Sequence, residues 1–283
     1  MKIYVVMCTH NGASFLEEQL DSLLCQQGII HKICIFDFAS SDSTRSIIES
    51  YSDSRITAEY FEHIPGPKKS FLHAIDMIAN IVNDDDLIFL CDQDDRWYPS
   101  KVQVMQQFMR KHELDVGWHN FDLIDAKSIL IPKKFYSGVY GLFPTRKSHL
   151  PKYWNLVVGN TMCVSGAYLR KFVSTVSGNA GMVRCYGRMH DECLILFGIF
   201  ENFRCAGLDR KLSTYRIHDN NLIGEPKIKI TKLYNKIKLD FIFAQNIDEI
   251  LNNFSPRRKN WNNIMQIYYC YFKILTFIGR YFK

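Results

Sequence analysis

The chain has 283 residues, 47% of them hydrophobic and 14% aromatic, which suffices for a sizeable core in one large domain or a domain with an appendage. That composition excludes a disordered chain. The net charge of +6 is unevenly spread: residues 225–283 hold eleven Lys/Arg against four Asp/Glu, so the first 224 residues are close to neutral and a basic partner surface belongs to the tail.

The nine cysteines form no C-x-x-C pair, and most sit in apolar runs. This pattern predicts reduced, buried thiols in a cytoplasmic protein rather than a zinc site or a disulfide frame. Met1-Lys2 leads directly into an apolar run, so no signal peptide is expected. No stretch offers 18 uninterrupted apolar residues, so no segment is expected to span a bilayer.

In chain order, Lys2 to Cys8 (KIYVVMC) reads as a strand, and Thr9-His10-Asn11-Gly12 follows as a polar turn. Ser14-Phe15-Leu16-Glu17 has the form of a capping box, and Phe15, Leu16, Gln19, Leu20, Leu23 and Leu24 recur at helical spacing. Lys32 to Phe38 (KICIFDF) predicts a second strand carrying Asp37, and the Ser/Asp/Thr-rich segment after it supplies caps for a helix to about Tyr51. Pro65-Gly66-Pro67 and Ser70 precede a helix that sets Phe71, Leu72, Ile75, Ile78, Ala79 and Val82 on one side. Asp84-Asp85-Asp86 is expected to be a solvated turn. Strand and helix alternate, which predicts a parallel sheet with crossovers.

Leu87-Ile88-Phe89-Leu90-Cys91 is the stretch around which the rest is organised: a buried strand followed at once by Asp92-Gln93-Asp94-Asp95. Carboxylates are hard oxygen ligands, and one divalent ion within reach of both ends of Asp-Gln-Asp can grip a diphosphate through its oxygens. On spacing alone a solvated acidic turn is the better reading, since Asp-rich turns are common. Three strand tips decide otherwise, because Thr9/Asn11, Asp37 and Asp92/Asp94 converge at the carboxyl ends of parallel strands, where α/β sheets bind ligands. Trp97-Tyr98-Pro99-Ser100 opens a further helix to about His112, with Trp97 expected to pack behind the acidic loop.

Thr9-His10-Asn11-Gly12, the Asp37 segment and Cys91-Asp92-Gln93-Asp94-Asp95-Arg96-Trp97 together resemble the family-2 glycosyltransferases of GT-A fold, in the subgroup often labelled rhamnosyltransferase-like. Val158-Gly159-Asn160-Thr161-Met162 looks like that family's acceptor-side loop. Met189-His190-Asp191 looks like its catalytic-base segment, and Tyr215 to Gly224 (YRIHDNNLIG) is similar to the subgroup's closing signature. The resemblance spans residues 1–224, which would be the catalytic domain, with 225–283 a separate basic helical region.

The resemblance implies roles position by position. Thr9, Asn11, Asp37 and Asp92 would bind the nucleotide. Asp94 with Asp92, and His218 as a further contact, would hold Mg²⁺ or Mn²⁺ on the diphosphate. Asp191 would be the general base that deprotonates the acceptor hydroxyl, while Gly159, Asn160, Thr161 and Arg216 would face the acceptor and donor sugar. Inverting transfer needs only one base and an electrophilic metal. Asp37-Phe38-Ala39-Ser40 departs from the family's usual Asp-Asp-Gly-Ser, which touches the base contacts and not the fold. Asp122 and Asp125, on an apparent hairpin, border the donor sugar in one reading and are ordinary turn residues in the other. Gly138 to Pro144 (GVYGLFP) reads as an irregular loop over the acceptor side that would exclude water.

In the tail, Lys227, Lys229, Lys232, Lys236 and Lys238 alternate with large apolar residues, and Arg257-Arg258-Lys259 is followed by Trp261 and a tyrosine-rich run. That suits helices lying peripherally on the cytoplasmic membrane face, or helices packed on the body with a wet basic side. No nucleic-acid motif accompanies the charge. The expected protein is an inverting, metal-dependent glycosyltransferase that moves a sugar from a nucleotide donor, dTDP-rhamnose or a UDP-sugar, to a glycan acceptor on a lipid in bacterial surface polysaccharide assembly. Two rivals stand beside it. One is an inactive GT-A-like membrane scaffold; the other is a nucleotidyltransferase, for which His10-Asn11-Gly12-Ala13 lacks the Gly-rich phosphate loop.

Overall fold

The computed structural model describes residues 1–132, 141–142, 157–176 and 189–218, without the side chains of 141–142 and 199–200. The expected tail helices at 225–283, most of the 138–144 loop and the closing signature beyond His218 lie outside the described residues.

Apolar runs become sheet centre, as their lengths require. β1 (Ile3–Thr9), β2 (Lys32–Phe38), β3 (Ile56–Phe61) and β4 (Leu87–Cys91) are parallel neighbours in the order β3-β2-β1-β4. Every β4 side chain is buried, and each large one contributes about 1.5–3 kcal/mol through its removal from water. The sheet continues through β9 (Met162–Ser165), β6 (Val116–Asp125), β10 (Cys205–Ile217) and β5 (Arg96–Trp97), with β7 (Leu130–Ile131) on β6 and β8 (Gly141–Leu142) on β10. β9 runs antiparallel to both β4 and β6, whereas β10 runs parallel to β6. The result is the mostly parallel α/β sheet expected of a GT-A fold.

Alternation along the strands feeds two cores. Tyr4, Val6, Phe36, Ile88 and Leu90 face α3 (Pro67–Ala79), α5 (Gly166–Val176) and α6 (His190–Phe200). Val5, Met7, Ile33, Ile35 and Phe89 face α1 (Leu16–Leu24), α2 (Thr44–Ser50) and α4 (Lys101–Lys111). Helices therefore cover both faces, and the polar strand ends are left at one rim.

Two local expectations are corrected. α1 starts without a side-chain cap, because the Gly12 carbonyl accepts the Phe15 and Leu16 N–H groups at 3.1 Å each and satisfies the helix start from the backbone. Asp86 is buried, not solvated: its carboxylate accepts the Lys2 N–H at 2.6 Å and the Asn83 N–H at 2.9 Å, tying the entry of β4 to β1. Among the described residues, five cysteines are buried and none is in a disulfide, and no helix is long and apolar enough to cross a membrane.

Candidate active site

The tips of β1 and β2 are bound to each other. Thr9 Oγ1 donates to Asp37 Oδ1 at 2.7 Å, and Ser40 donates its hydroxyl to the same oxygen at 2.5 Å and its N–H to Oδ2 at 3.2 Å. Asn11 takes a left-handed backbone (φ 48°), tolerable for an Asn, and its Oδ1 accepts the Ser41 N–H at 2.8 Å. Gln93 clamps this turn to the acidic loop: its Oε1 accepts the His10 N–H at 2.9 Å and its amide donates to the His10 carbonyl at 3.1 Å. A Cβ at Gly12 would lie 2.4 Å from Gln93 Oε1, so a larger residue there would push the amide out of this clamp. Phe38, where the family pattern has a second acid, is buried and stacked on Phe61 with centroids 4.9 Å apart. Ala39, at the glycine position of that pattern, is held at φ 55°.

The acidic loop sits at the carboxyl end of β4. Asp92 takes no side-chain hydrogen bond among the described residues, and burial, then the negative charges of Asp94 and Asp191, push its carboxyl up to about 8. Asp94 Oδ2 lies 2.9 Å from His218 Nε2. That contact follows from topology, since Thr214 and Ser213 pair with Arg96 and Trp97 and so bring the end of β10 against the loop. Asp95 is fully buried and accepts the Arg216 N–H at 2.9 Å and the Asn160 side-chain amide.

Arg216 is enclosed beneath the loop and does not open toward a sugar. Its guanidinium donates to the Asp94 carbonyl at 2.6 Å, to Glu18 Oε2 at 2.5 Å, to Ser128 Oγ at 2.8 Å and to the Asp125 carbonyl at 3.1 Å, and it lies 4.6 Å from the Phe15 ring centroid. A planar fork with five donors suits this multiple anchorage, which a lysine could not reproduce. Asp122 is likewise engaged, accepting from Tyr98 at 2.9 Å and from Lys211, and Asp125 caps its own turn by accepting the Lys127 and Ile129 N–H groups.

Facing the loop, the one-turn helix Gly159–Thr161 leads into β9, whose antiparallel pairing with β4 places its start beside the acids. Asp191, in the first turn of α6, accepts the Gly159 N–H at 3.1 Å and the Glu192 N–H at 2.7 Å. Those N–H groups and the helix terminus favour a charged carboxylate, but burial and then Glu192 outweigh them and hold the group at about 7. His190 is stacked on Phe71 at 3.9 Å, with neither ring nitrogen hydrogen-bonded among the described residues, and burial keeps it neutral, pushed down to about 3. Its Nε2 would lie 2.6 Å from any Cβ at Gly159, so the turn that meets Asp191 also requires glycine. The joined tips of β1 and β2, the acids after β4 and the raised carboxyl of Asp191 thus share one rim.

The family model for "Glycosyl transferase family 2" matches residues 4–175, more than half of the chain. The chain belongs to that family. It is a glycosyltransferase of GT-A fold. Among curated proteins it is 33% identical over 236 residues to the dTDP-rhamnosyl transferase RfbG of Shigella flexneri, an alignment covering 77% of this chain and 73% of that one. It is also 26% identical over 131 residues to the UDP-Glc:alpha-D-GlcNAc-diphosphoundecaprenol beta-1,3-glucosyltransferase WfgD of Escherichia coli, covering 45% of this chain and about half (49%) of that protein. S. aureus TarS 1-349, solved in complex with UDP-GlcNAc, shares the fold at a TM-score of 0.59 and 15% identity, covering 93% of this chain and 78% of that one. The mannosyltransferase PcManGT from Pyrobaculum calidifontis, solved with GDP-Man and Mn²⁺, shares it at a TM-score of 0.55 and 12% identity, covering 89% and 64%.

Sequence reasoning missed four residues on which this glycosyltransferase builds its site. Gln93 was read as the spacer between two acids. Glu18 and Ser128 are single polar residues far apart in sequence that meet only through Arg216. Lys101, the first residue of α4, is fully buried behind the acids. One signal for it was present: a lysine directly after the Pro-Ser cap of an amphipathic helix, at a position that faces the sheet.

Among the described residues, no three His, Cys, Asp or Glu side chains converge as a preformed metal cage. Asp94 beside His218, with the unpartnered carboxylate of Asp92 nearby, still fits a hard divalent cation, which takes one or two protein ligands when a diphosphate supplies the others.

Proposed function

We propose that this enzyme catalyses inverting transfer of a sugar from a nucleotide donor to a saccharide hydroxyl during assembly of a bacterial surface polysaccharide. The observation that carries this is Asp191: a carboxylate at the rim of the acidic loop, raised to about 7, where it can take a proton at neutral pH. Thr9, Asn11, Asp37 and Asp92 bind the nucleotide in this reading, and Gly159, Asn160 and Thr161 shape the acceptor side. Asp37 has one oxygen shared by two hydroxyls and the other bonded to one N–H, so it presents a fixed acceptor at the base end.

Asp94, with Asp92 and His218, would hold Mg²⁺ or Mn²⁺, whose chemistry is to neutralise the charge that builds on the departing diphosphate. The protein's own part is to fix these acids through Arg216, to seat the acceptor hydroxyl against Asp191, and to accept its proton there. A dTDP-linked deoxysugar is the leading donor, supported by the 33% identity to RfbG. The name of WfgD, which carries a diphosphoundecaprenol acceptor, supports a lipid-linked glycan. Such an acceptor gives the basic tail a membrane face to bind, and the enzyme is then peripheral on the cytoplasmic side.

The test is a thermal-shift screen of the full chain against UDP, dTDP, GDP and CDP, each with Mn²⁺ or with EDTA. One nucleotide should stabilise the protein by several degrees, and EDTA should remove the effect. Absence of any nucleotide shift in a folded preparation refutes the donor site.

A further inference from the structure

A buried ammonium stands at the junction of the two halves of the site. Lys101 Nζ is hidden from solvent, donates to the Asn160 carbonyl at 2.6 Å and lies 3.4 Å from the Trp97 ring centroid. Asn160 is the middle residue of the turn whose neighbour, Gly159, donates its N–H to Asp191. The Asn160 side-chain amide donates to Asp95, whose other oxygen accepts the Arg216 N–H. A single residue, Asn160, therefore joins the acid loop on one side, the Asp191 turn on the other and α4 below.

An ammonium in that position is expensive. Desolvation disfavours its charge, and among the described residues it makes one hydrogen bond, where a hydrated ammonium makes three. A methionine of similar length would fill the same space under Trp97 without that cost. What methionine cannot do is hold a carbonyl. The Asn160 carbonyl is the piece of backbone that fixes the turn's orientation, and the turn sets where Gly159 N–H meets Asp191.

We propose that Lys101 is a positioning residue for transfer: by anchoring the Asn160 carbonyl it fixes the 159–161 turn, and through it the placement of the Asp191 carboxylate relative to the Asp92–Asp95 loop. The inference rests on the reading of Asp191 as the base. Lys101 itself touches neither donor nor acceptor, so its effect falls on turnover and not on donor affinity.

The experiment compares wild type with Lys101→Met in the full-length protein by three readouts. Hydrogen exchange of the amides of residues 158–162 should become at least tenfold faster in the variant, with β1 and β4 unchanged. The melting temperature should stay within a few degrees, because relief of the lysine's desolvation offsets the unpaired Asn160 carbonyl. With the nucleotide-sugar whose nucleotide gives the largest thermal shift, and water as acceptor, kcat for release of the nucleoside diphosphate and free sugar should fall at least tenfold while KM stays within threefold. Unchanged exchange, unchanged kcat, or a lowered melting temperature with lost donor binding or failure to fold each overturns the proposal, the last two by showing a structural role. If wild type turns over no donor, the functional reading fails, and the exchange data alone still decide whether Lys101 fixes the turn.

Discussion

Replacing Asp191 by Asn should move activity and stability in opposite directions. Burial, then Glu192, raise this carboxyl from 3.8 to about 7. At about 1.4 kcal/mol per pK unit, the folded state bears up to about 4 kcal/mol for keeping the group ionised. The residue retains some exposure, which trims that figure. Asparagine offers one oxygen to two backbone donors, Gly159 and Glu192, so one of those N–H groups loses its acceptor at a cost of about 1–3 kcal/mol. The net expectation is a variant about 1–2 kcal/mol more stable than wild type at pH 8.

The sign follows from linkage. A carboxyl whose pKa is higher folded than unfolded contributes most stability below the unfolded value and loses it as pH rises through the folded one. The advantage of Asp191→Asn therefore disappears on going from pH 8 to about pH 4 and turns into a deficit of about 1–3 kcal/mol, because the unpaired N–H costs the variant the same at any pH. Urea unfolding at pH 5 and pH 8 measures it, and a transfer assay measures the lost base, expected to cost at least a hundredfold in kcat. The wild-type rate should also fall as pH drops through about 7. A variant that is less stable at pH 8, or that keeps most of its turnover, would refute the assignment.

Asp94→Ala should remove the Mn²⁺-dependent part of nucleotide stabilisation while leaving the melting temperature without ligand within a few degrees; an unchanged EDTA-sensitive shift would place the metal elsewhere. Ala39→Gly should stabilise the protein by about 0.5–1 kcal/mol, because relief of an alanine at φ 55° (about 1–2 kcal/mol) exceeds the added unfolded-state entropy (about 0.4–1 kcal/mol); a lowered urea midpoint would count against strain at this tip. Reversing Lys227, Lys229, Lys232 and Lys236 to Glu should cut sedimentation with anionic vesicles at least tenfold, since each lysine near such a surface contributes about 1 kcal/mol. Equal sedimentation of both proteins would assign those charges to another partner.

The central sheet was legible because its physics is local. Lys2–Cys8, Lys32–Phe38 and Leu87–Cys91 are apolar runs that end on polar residues, and parallel pairing of β2, β1 and β4 then has to bring Thr9, Asp37 and Asp92 to one rim. What escaped reading depends on pairings between distant segments. β9 is only four residues long, and nothing in Met162-Cys163-Val164-Ser165 announces an antiparallel strand between β4 and β6. Arg216 was placed on the sugar side by the family resemblance alone. Its burial follows from β10 pairing with β5, about 120 residues away, which presses the side chain under the acidic loop. Asp86 resembled its exposed neighbours until its partners at Lys2 and Asn83 were visible.

These long-range pairings explain how so many acids can share one rim. Burial chiefly raises the carboxyls of Asp92, Asp95 and Asp191, and like charge adds to it: Asp94 and Asp191 act on Asp92, Asp94 and Asp92 on Asp95, and Glu192 on Asp191. Two buried basic side chains hold the frame from behind: Arg216 grips the Asp94 carbonyl and Glu18, and Lys101 grips the Asn160 turn. The frame is thus braced at its base, while the carboxyls of Asp92 and Asp94 stand at its open end. A cationic ligand gains most from such an arrangement, and a diphosphate gains it only in company with that cation. Substituting Glu18 should therefore loosen the loop without changing the preference for a metal, whereas substituting Asp94 should abolish the preference and leave the loop in place.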